Sequence, residues 1–179
     1  MTGVTAFEKN SLVRRALRLE IVTIIWMVIE AVAAIGAGIA ARSLLLVAFG
    51  IDSGIELTSA IVVYRRFCIE KFAGNLAGAG AIESKTARIA GYLLLLLSAY
   101  VVVQAVLGLV TRHAAETSPI GIAVAIVAAV GMPVLAKAKS RVAGKIDSRS
   151  LRADAMETLS CGYLSWVLLA GLILNAVTP

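Results

Sequence analysis

Apolar residues run along this chain in long blocks, separated by short segments where lysine and arginine gather. A helix needs about 20 mostly apolar residues to cross roughly 30 Å of hydrocarbon. Five blocks reach that length, at about 19–41, 43–64, 88–110, 119–136 and 150–177. The pattern predicts an all-α, polytopic membrane protein with five transmembrane helices. Only Ala41, Arg42 and Ser43 part the first two, which makes them a tight antiparallel hairpin. The fifth block opens with polar residues, so its first turns belong at the interface. Segment 65–87 contains the Gly/Ala-rich run from Gly74 to Ala81 and reads as a flexible cytoplasmic loop. The basic stretch 137–149 reads as the fourth helix continuing beyond the membrane. Pro133 is expected to kink that helix or interrupt its hydrogen-bond ladder. The first block is too long for a signal-peptide core and no small-residue cleavage site ends it. Residues 1–18 then form a cytoplasmic amino-terminal segment and 19–179 the transmembrane domain, with no soluble carboxy-terminal domain expected. Pro179 directly follows an apolar helix, and a sixth helix is expected to be missing, by truncation or by descent.

Composition agrees with the pattern. The chain is 60% hydrophobic and 16% charged, with a mean hydropathy of +0.92. Soluble domains average about 45–50% apolar and about 25% charged, which excludes a water-soluble globule. Two cysteines, Cys68 and Cys161, are too few for a disulfide framework. Of the 17 lysines and arginines, all but Arg42 and Arg112 fall before the first span, between the second and third, or between the fourth and fifth. The positive-inside rule places those segments, and the amino terminus, in the cytoplasm. The net charge of +6 is then a topological bias with attraction to anionic headgroups, and no nucleic-acid partner is expected.

Ionisable residues inside the spans are costly, at least about 2.5–3.5 kcal/mol on insertion scales, so each needs a reason. Glu30, Asp52, Glu56 and Glu157 qualify, with Asp154 one turn nearer the cytoplasm and Cys161 one turn deeper. Asp52 and Glu56 stand at i and i+4 on one helix face. Asp154, Glu157 and Cys161 stand at i, i+3 and i+7 on another. At about 1.5 Å per residue, Glu30 falls near the midplane, and the others reach a similar depth. Carboxylates converging in a low dielectric resist ionising together, and protons or a divalent cation relieve them. Oxygen donors with one sulfur suit a first-row or borderline-soft ion, and four ligands suit tetrahedral Zn²⁺. Exchange of such an ion against protons is the chemistry this set can perform. Packing alternatives stand beside it: Glu30 as a hydrogen-bonded packing residue and Cys161 as a small core side chain. The Asp52/Glu56 pair is harder to explain by packing.

The remaining features have plainer readings. Gly36, Gly38, Gly50 and Gly54 are close-packing positions. Ser98 and Gln104 are expected to hydrogen-bond between helices, and Trp26 and Trp166 to fill space. His113 reads as a solvated loop residue and Cys68 as inert.

Phe49-Gly50-Ile51-Asp52-Ser53-Gly54-Ile55-Glu56-Leu57 resembles the acidic DxxxD stretch in the second helix of the cation diffusion facilitator family. Leu151-Arg152-Ala153-Asp154-Ala155, followed by Glu157 and Cys161, resembles the fifth-helix motif, where an A-D-A triplet precedes HxxxD. The stretch Ser140–Arg152 is similar to the family's loop between helices four and five. The resemblance implies a six-helix fold, a homodimer, and export of Zn²⁺ or related ions (Cd²⁺, Co²⁺, Mn²⁺, Fe²⁺) in exchange for protons across the plasma (inner) membrane. It places the metal ligands on Asp52, Glu56, Glu157 and Cys161, with Glu30 and Asp154 as second-tier candidates. Glu56 replaces aspartate, Glu157 stands where histidine is usual, and Cys161 where aspartate is usual. The chain resembles a divergent short form of the family, and no prosthetic group is implied. Two other readings remain: a non-transporting membrane scaffold or regulator that keeps the fold, and a membrane enzyme. The enzyme reading is weak, because no intramembrane histidine, HExxH or GxSxG is present and Asp52 and Glu56 lie on one helix.

Overall fold

Each apolar block folds as a helix, and each helix outruns its block. The structure, a computed structural model, describes residues 6–73, 79–111 and 119–177. They form α1 (Ala6–Ala40), α2 (Leu44–Ala73), α3 (Ala79–Thr111), α4 (Pro119–Ile146) and α5 (Arg149–Val177), with no strand among the described residues. The shortest helix, α4, has 28 residues, or about 42 Å at 1.5 Å per residue, more than a hydrocarbon layer is thick. Helices α1 to α4 are long and apolar enough to cross a membrane. Their outer faces carry Val22, Ile25, Val32, Leu95, Val102, Val130 and Val134 in the open. In water such continuous apolar surface is a liability, and against lipid it is the expected exterior.

One connection, between the second and third helices, is shorter than the sequence pattern predicts. The expected loop 65–87 is helical at both ends, α2 running on to Ala73 and α3 beginning at Ala79, while 74–78 of its Gly/Ala-rich run lie outside the described residues. Charged residues such as Arg66, Glu70 and Glu83 belong to those helical extensions. Arg66 pairs with Glu70 at 3.0 Å and with Glu83 at 2.7 Å. The Glu83 carboxylate also accepts the Ser150 amide at 2.9 Å. That places an acid at the amino-terminal end of α5, where the helix dipole favours it. The hairpin between α1 and α2 is as short as predicted. Ser43 N–H donates to the Gly38 carbonyl at 2.8 Å, and Arg42 takes a left-handed φ of 49°. The α4–α5 junction repeats the device, with Ser148 N–H on the Ala143 carbonyl at 3.0 Å and Asp147 at φ 50°. The fourth helix does extend through the basic stretch, to Ile146. Pro133 does not end it: α4 is continuous there, and the proline ring faces Gly162 of α5, where a Cβ would come within 2.8 Å.

Helix α1 packs on α2 and α4, α5 packs on α4, α3 and α2, and α3 lies against α2 and α5. Tyr100 fastens α3 by donating its hydroxyl to the Ala48 carbonyl at 3.1 Å. Two apolar clusters cap the interior. One holds Val13, Leu17, Val63, Phe67, Val142 and Leu151 at the basic end. The other holds Met27, Ala34, Leu46, Phe49, Ala128, Met132 and Leu168 beyond it. On each of α1, α2, α4 and α5 the buried polar residues fall mainly between these clusters.

Close packing at the glycines is uneven. A Cβ on Gly50 would lie 2.5 Å from Ile35 Cγ1, 3.0 Å from the Ile35 nitrogen and 3.1 Å from the Ala31 carbonyl oxygen. Gly38 is similarly crowded by Val47, whereas Gly36 and Gly54 meet nothing within 4 Å and are not packing positions. Gly50→Ala is therefore expected to destabilise by about 1–3 kcal/mol, because two of its three collisions involve backbone. Gly54→Ala should stabilise by up to about 1 kcal/mol through helix propensity. Denaturant unfolding in detergent micelles checks both signs.

Candidate functional site

Helical spacing converts sequence into a polar interior. On α1, Glu20, Thr23 and Glu30 face inward; on α2, Asp52, Ser53 and Glu56; on α4, Lys139; on α5, Asp154, Glu157, Thr158 and Cys161. None of these side chains is more than 2% exposed. Isolated charges so placed are costly unless paired or neutralised, and the interior divides according to how each is satisfied.

The first group is a closed hydrogen-bond cluster around Glu30. Its carboxylate accepts Ser53 Oγ at 2.8 Å and Cys161 Sγ at 3.3 Å on one oxygen, and Trp26 Nε1 on the other. Three donors from α1, α2 and α5 thus meet one acid, so α1 is tied to both partners at this depth. Trp26 is not merely bulk: it sits one turn before Glu30 and supplies a donor. Trp166 likewise donates, to the Ala129 carbonyl at 3.1 Å. Ser98 bonds within its own helix, to the Leu94 carbonyl at 2.9 Å, rather than across to a neighbour. Gln104 has a side chain outside the described set, and His113 and Arg112 lie outside the described residues.

The second group is a buried ion-pair cluster nearer the basic end. Lys139 Nζ reaches Asp154 Oδ2 at 2.5 Å, Glu20 Oε2 at 3.3 Å and Thr158 Oγ1 at 3.3 Å. Lysine, glutamate and aspartate are all fully buried. The sequence pattern counts Lys139 among the cytoplasmic charges and does not single out Glu20; the structure buries both side chains. A signal existed: Met132, Ala136, Lys139 and Ala143 follow one inward-facing stripe of α4.

The third group is unsatisfied. Neither oxygen of Asp52, Glu56 or Glu157 has a hydrogen-bond partner. The Thr158 hydroxyl beside Glu56 donates instead to the Asp154 carbonyl at 3.1 Å, and Ser59 Oγ beside Glu157 has no partner at hydrogen-bond distance. Buried polar atoms are nearly always partnered, so six free oxygens in one interior require a chemical reason. The four expected ligands are all buried in the common interior, and of them Cys161 gives its thiol to Glu30. Glu30 accepts hydrogen bonds from protein donors, and Asp154 is engaged by Lys139. Among the described residues, no three His, Cys, Asp or Glu side chains converge closely enough to hold a metal ion. An ion held by these carboxylates would require their side chains to converge more closely than they do here.

No family model matches the chain, and no curated protein or solved structure matches it.

Proposed function

We propose that this chain moves a divalent metal cation across a membrane in exchange for protons, with Asp52, Glu56 and Glu157 as the carboxylates that take up the ion. The observation that carries this reading is their six buried, unpartnered oxygens, whereas Glu30, Glu20 and Asp154 each have at least one carboxylate oxygen engaged by a protein donor. Three carboxylates in a low dielectric exist as protonated acids or as ligands of a cation, and each state excludes the other. Cation entry releases protons and cation exit recovers them, which is the coupling an antiporter requires. Apolar clusters on both sides of the polar interior support alternating access, since either can part while the other stays closed. Asp52 and Glu56 anchor the ion in this reading, Glu157 completes the cage from α5, and Cys161 joins if its thiol leaves Glu30. Zn²⁺ leads the candidate substrates, with Cd²⁺, Co²⁺, Mn²⁺ and Fe²⁺ behind it.

The fifth helix is read as a further span, and the resemblance of Asp52/Glu56 and Glu157/Cys161 to cation diffusion facilitator motifs adds a family-level expectation of a six-helix homodimer. The end of the bundle carrying Arg14, Arg15, Arg18 and Lys145 around a cavity of about 760 Å³ is read as cytoplasmic, in a plasma (inner) membrane. Anionic headgroups would be drawn to it.

The rival reading is a membrane scaffold that keeps the fold without transport, favoured by the lack of a preformed three-ligand cluster among the described residues. Purified protein in liposomes loaded with a metal-sensitive dye separates the two. A transporter gives protein-dependent uptake of Zn²⁺, Cd²⁺, Co²⁺ or Mn²⁺ that acidifies the opposite compartment. A scaffold gives the flux of empty vesicles for all four ions.

A further inference from the structure

The Lys139 cluster has the composition of an occupied cation site. Two carboxylates and a hydroxyl surround one ammonium: Asp154 at 2.5 Å, Glu20 at 3.3 Å and Thr158 at 3.3 Å. They come from α1 and α5, the cation comes from α4, and all are buried. An ammonium has three protons to donate, and all three have partners here. The acceptors are not exhausted: Glu20 Oε1 and Asp154 Oδ1 remain buried without partners. Charge is unbalanced as well, since one positive group faces two carboxylates. A structural ion pair has no use for the surplus acid, because a single carboxylate would balance one lysine at a smaller desolvation penalty.

Position gives the surplus a meaning. On α5, Asp154 lies one turn nearer the basic end than Glu157; on α1, Glu20 lies between the Leu17 layer and Glu30. An ion travelling between the basic end and the unpartnered carboxylates of α2 and α5 would pass this cluster. We propose that Glu20, Asp154 and Thr158 form a second site for a divalent cation, one that the chain fills with the Lys139 ammonium until an ion displaces it. Two carboxylates balance a divalent ion fully, whereas they leave the lysine over-compensated. The long, flexible lysine stem allows the ammonium to withdraw. This assignment rests on reading the interior as a cation path, yet its test does not depend on ion binding at Asp52, Glu56 and Glu157.

The test counts bound ions. Wild type, Lys139→Met, Lys139→Arg and the triple variant Lys139→Met/Glu20→Gln/Asp154→Asn are equilibrated with Cd²⁺ in detergent, and metal per chain is measured by dialysis and elemental analysis. At Cd²⁺ concentrations too low to displace the ammonium, Lys139→Met is expected to bind one Cd²⁺ more than wild type. Lys139→Arg and the triple variant should match wild type, because one keeps the tethered cation and the other removes the ligands. Should Lys139→Met not fold without metal, it is purified in Cd²⁺, and folded protein carrying the extra ion is the expected result. Equal Cd²⁺ binding by Lys139→Met and wild type across the whole concentration range, or no folded Lys139→Met even with Cd²⁺, overturns the second site. A wild type that binds nothing beside a Lys139→Met that binds one ion would uphold the second site while removing the first.

Discussion

Lys139→Ala is expected to destabilise the protein by about 3–5 kcal/mol, the cost of leaving a buried charge without its partner. The substitution strands two carboxylates, Glu20 and Asp154, which are fully buried and already have one unpartnered oxygen each. It also leaves space where the lysine stem packed. The triple replacement Lys139→Met/Glu20→Gln/Asp154→Asn removes all three charges at nearly constant volume and should fall within about 1–2 kcal/mol of wild type, since apolar or neutral replacements of whole buried ion clusters are often tolerated. Denaturant titration in micelles, followed by tryptophan fluorescence, measures both. A loss below about 1 kcal/mol for Lys139→Ala would mean that the cluster is solvated or rearranged, contrary to its burial.

Asp52→Ala carries the opposite signature. Both oxygens of Asp52 are buried without partners, so removing the carboxyl abolishes a desolvated polar group and breaks no hydrogen bond. Stability should hold or rise, by about 1–3 kcal/mol, while metal flux falls to the level of empty vesicles and membrane expression is unchanged. Stability gained together with activity lost marks a residue retained for function. A packing acid behaves in reverse, as Glu30 is expected to, because its removal would free Ser53, Cys161 and Trp26 donors at once. Full flux from Asp52→Ala would remove the carboxylate from the transport path.

The contrast between these residues also shows what the sequence could reveal. Helix number and order, the three-residue hairpin, and the inward faces of Asp52/Glu56 and Asp154/Glu157/Cys161 follow from period and hydropathy alone. These signals are local, and an acid in an apolar block must be partnered, protonated or bound to a cation. Lys139 escaped because it stands among Lys137, Arg141 and Lys145, where charge density resembles a cytoplasmic loop. Only the helical stripe running from Met132 through Ala136 to Ala143 distinguishes its face from theirs. In the run 65–87 the Gly/Ala-rich stretch from Gly74 to Ala81 suggested a loop, whereas the flanking residues are helical: Arg66 pairs with Glu70 within α2 and with Glu83 of α3. Depth was legible within a helix but not between helices. Cys161 and the carboxylates share one interior, yet the thiol meets Glu30, because the relative registers of α1, α2 and α5 depend on close contacts such as Gly50 against Ile35.

The most direct test is calorimetric titration of the purified protein with Zn²⁺ and Cd²⁺ in two buffers of different protonation enthalpy, wild type beside Asp52→Ala. A cation–proton exchanger built on the three unpartnered carboxylates binds metal in the wild type, releases protons as the buffer dependence reports, and loses both in Asp52→Ala. Absence of metal binding in the wild type, or binding that Asp52→Ala leaves unchanged, would contradict it.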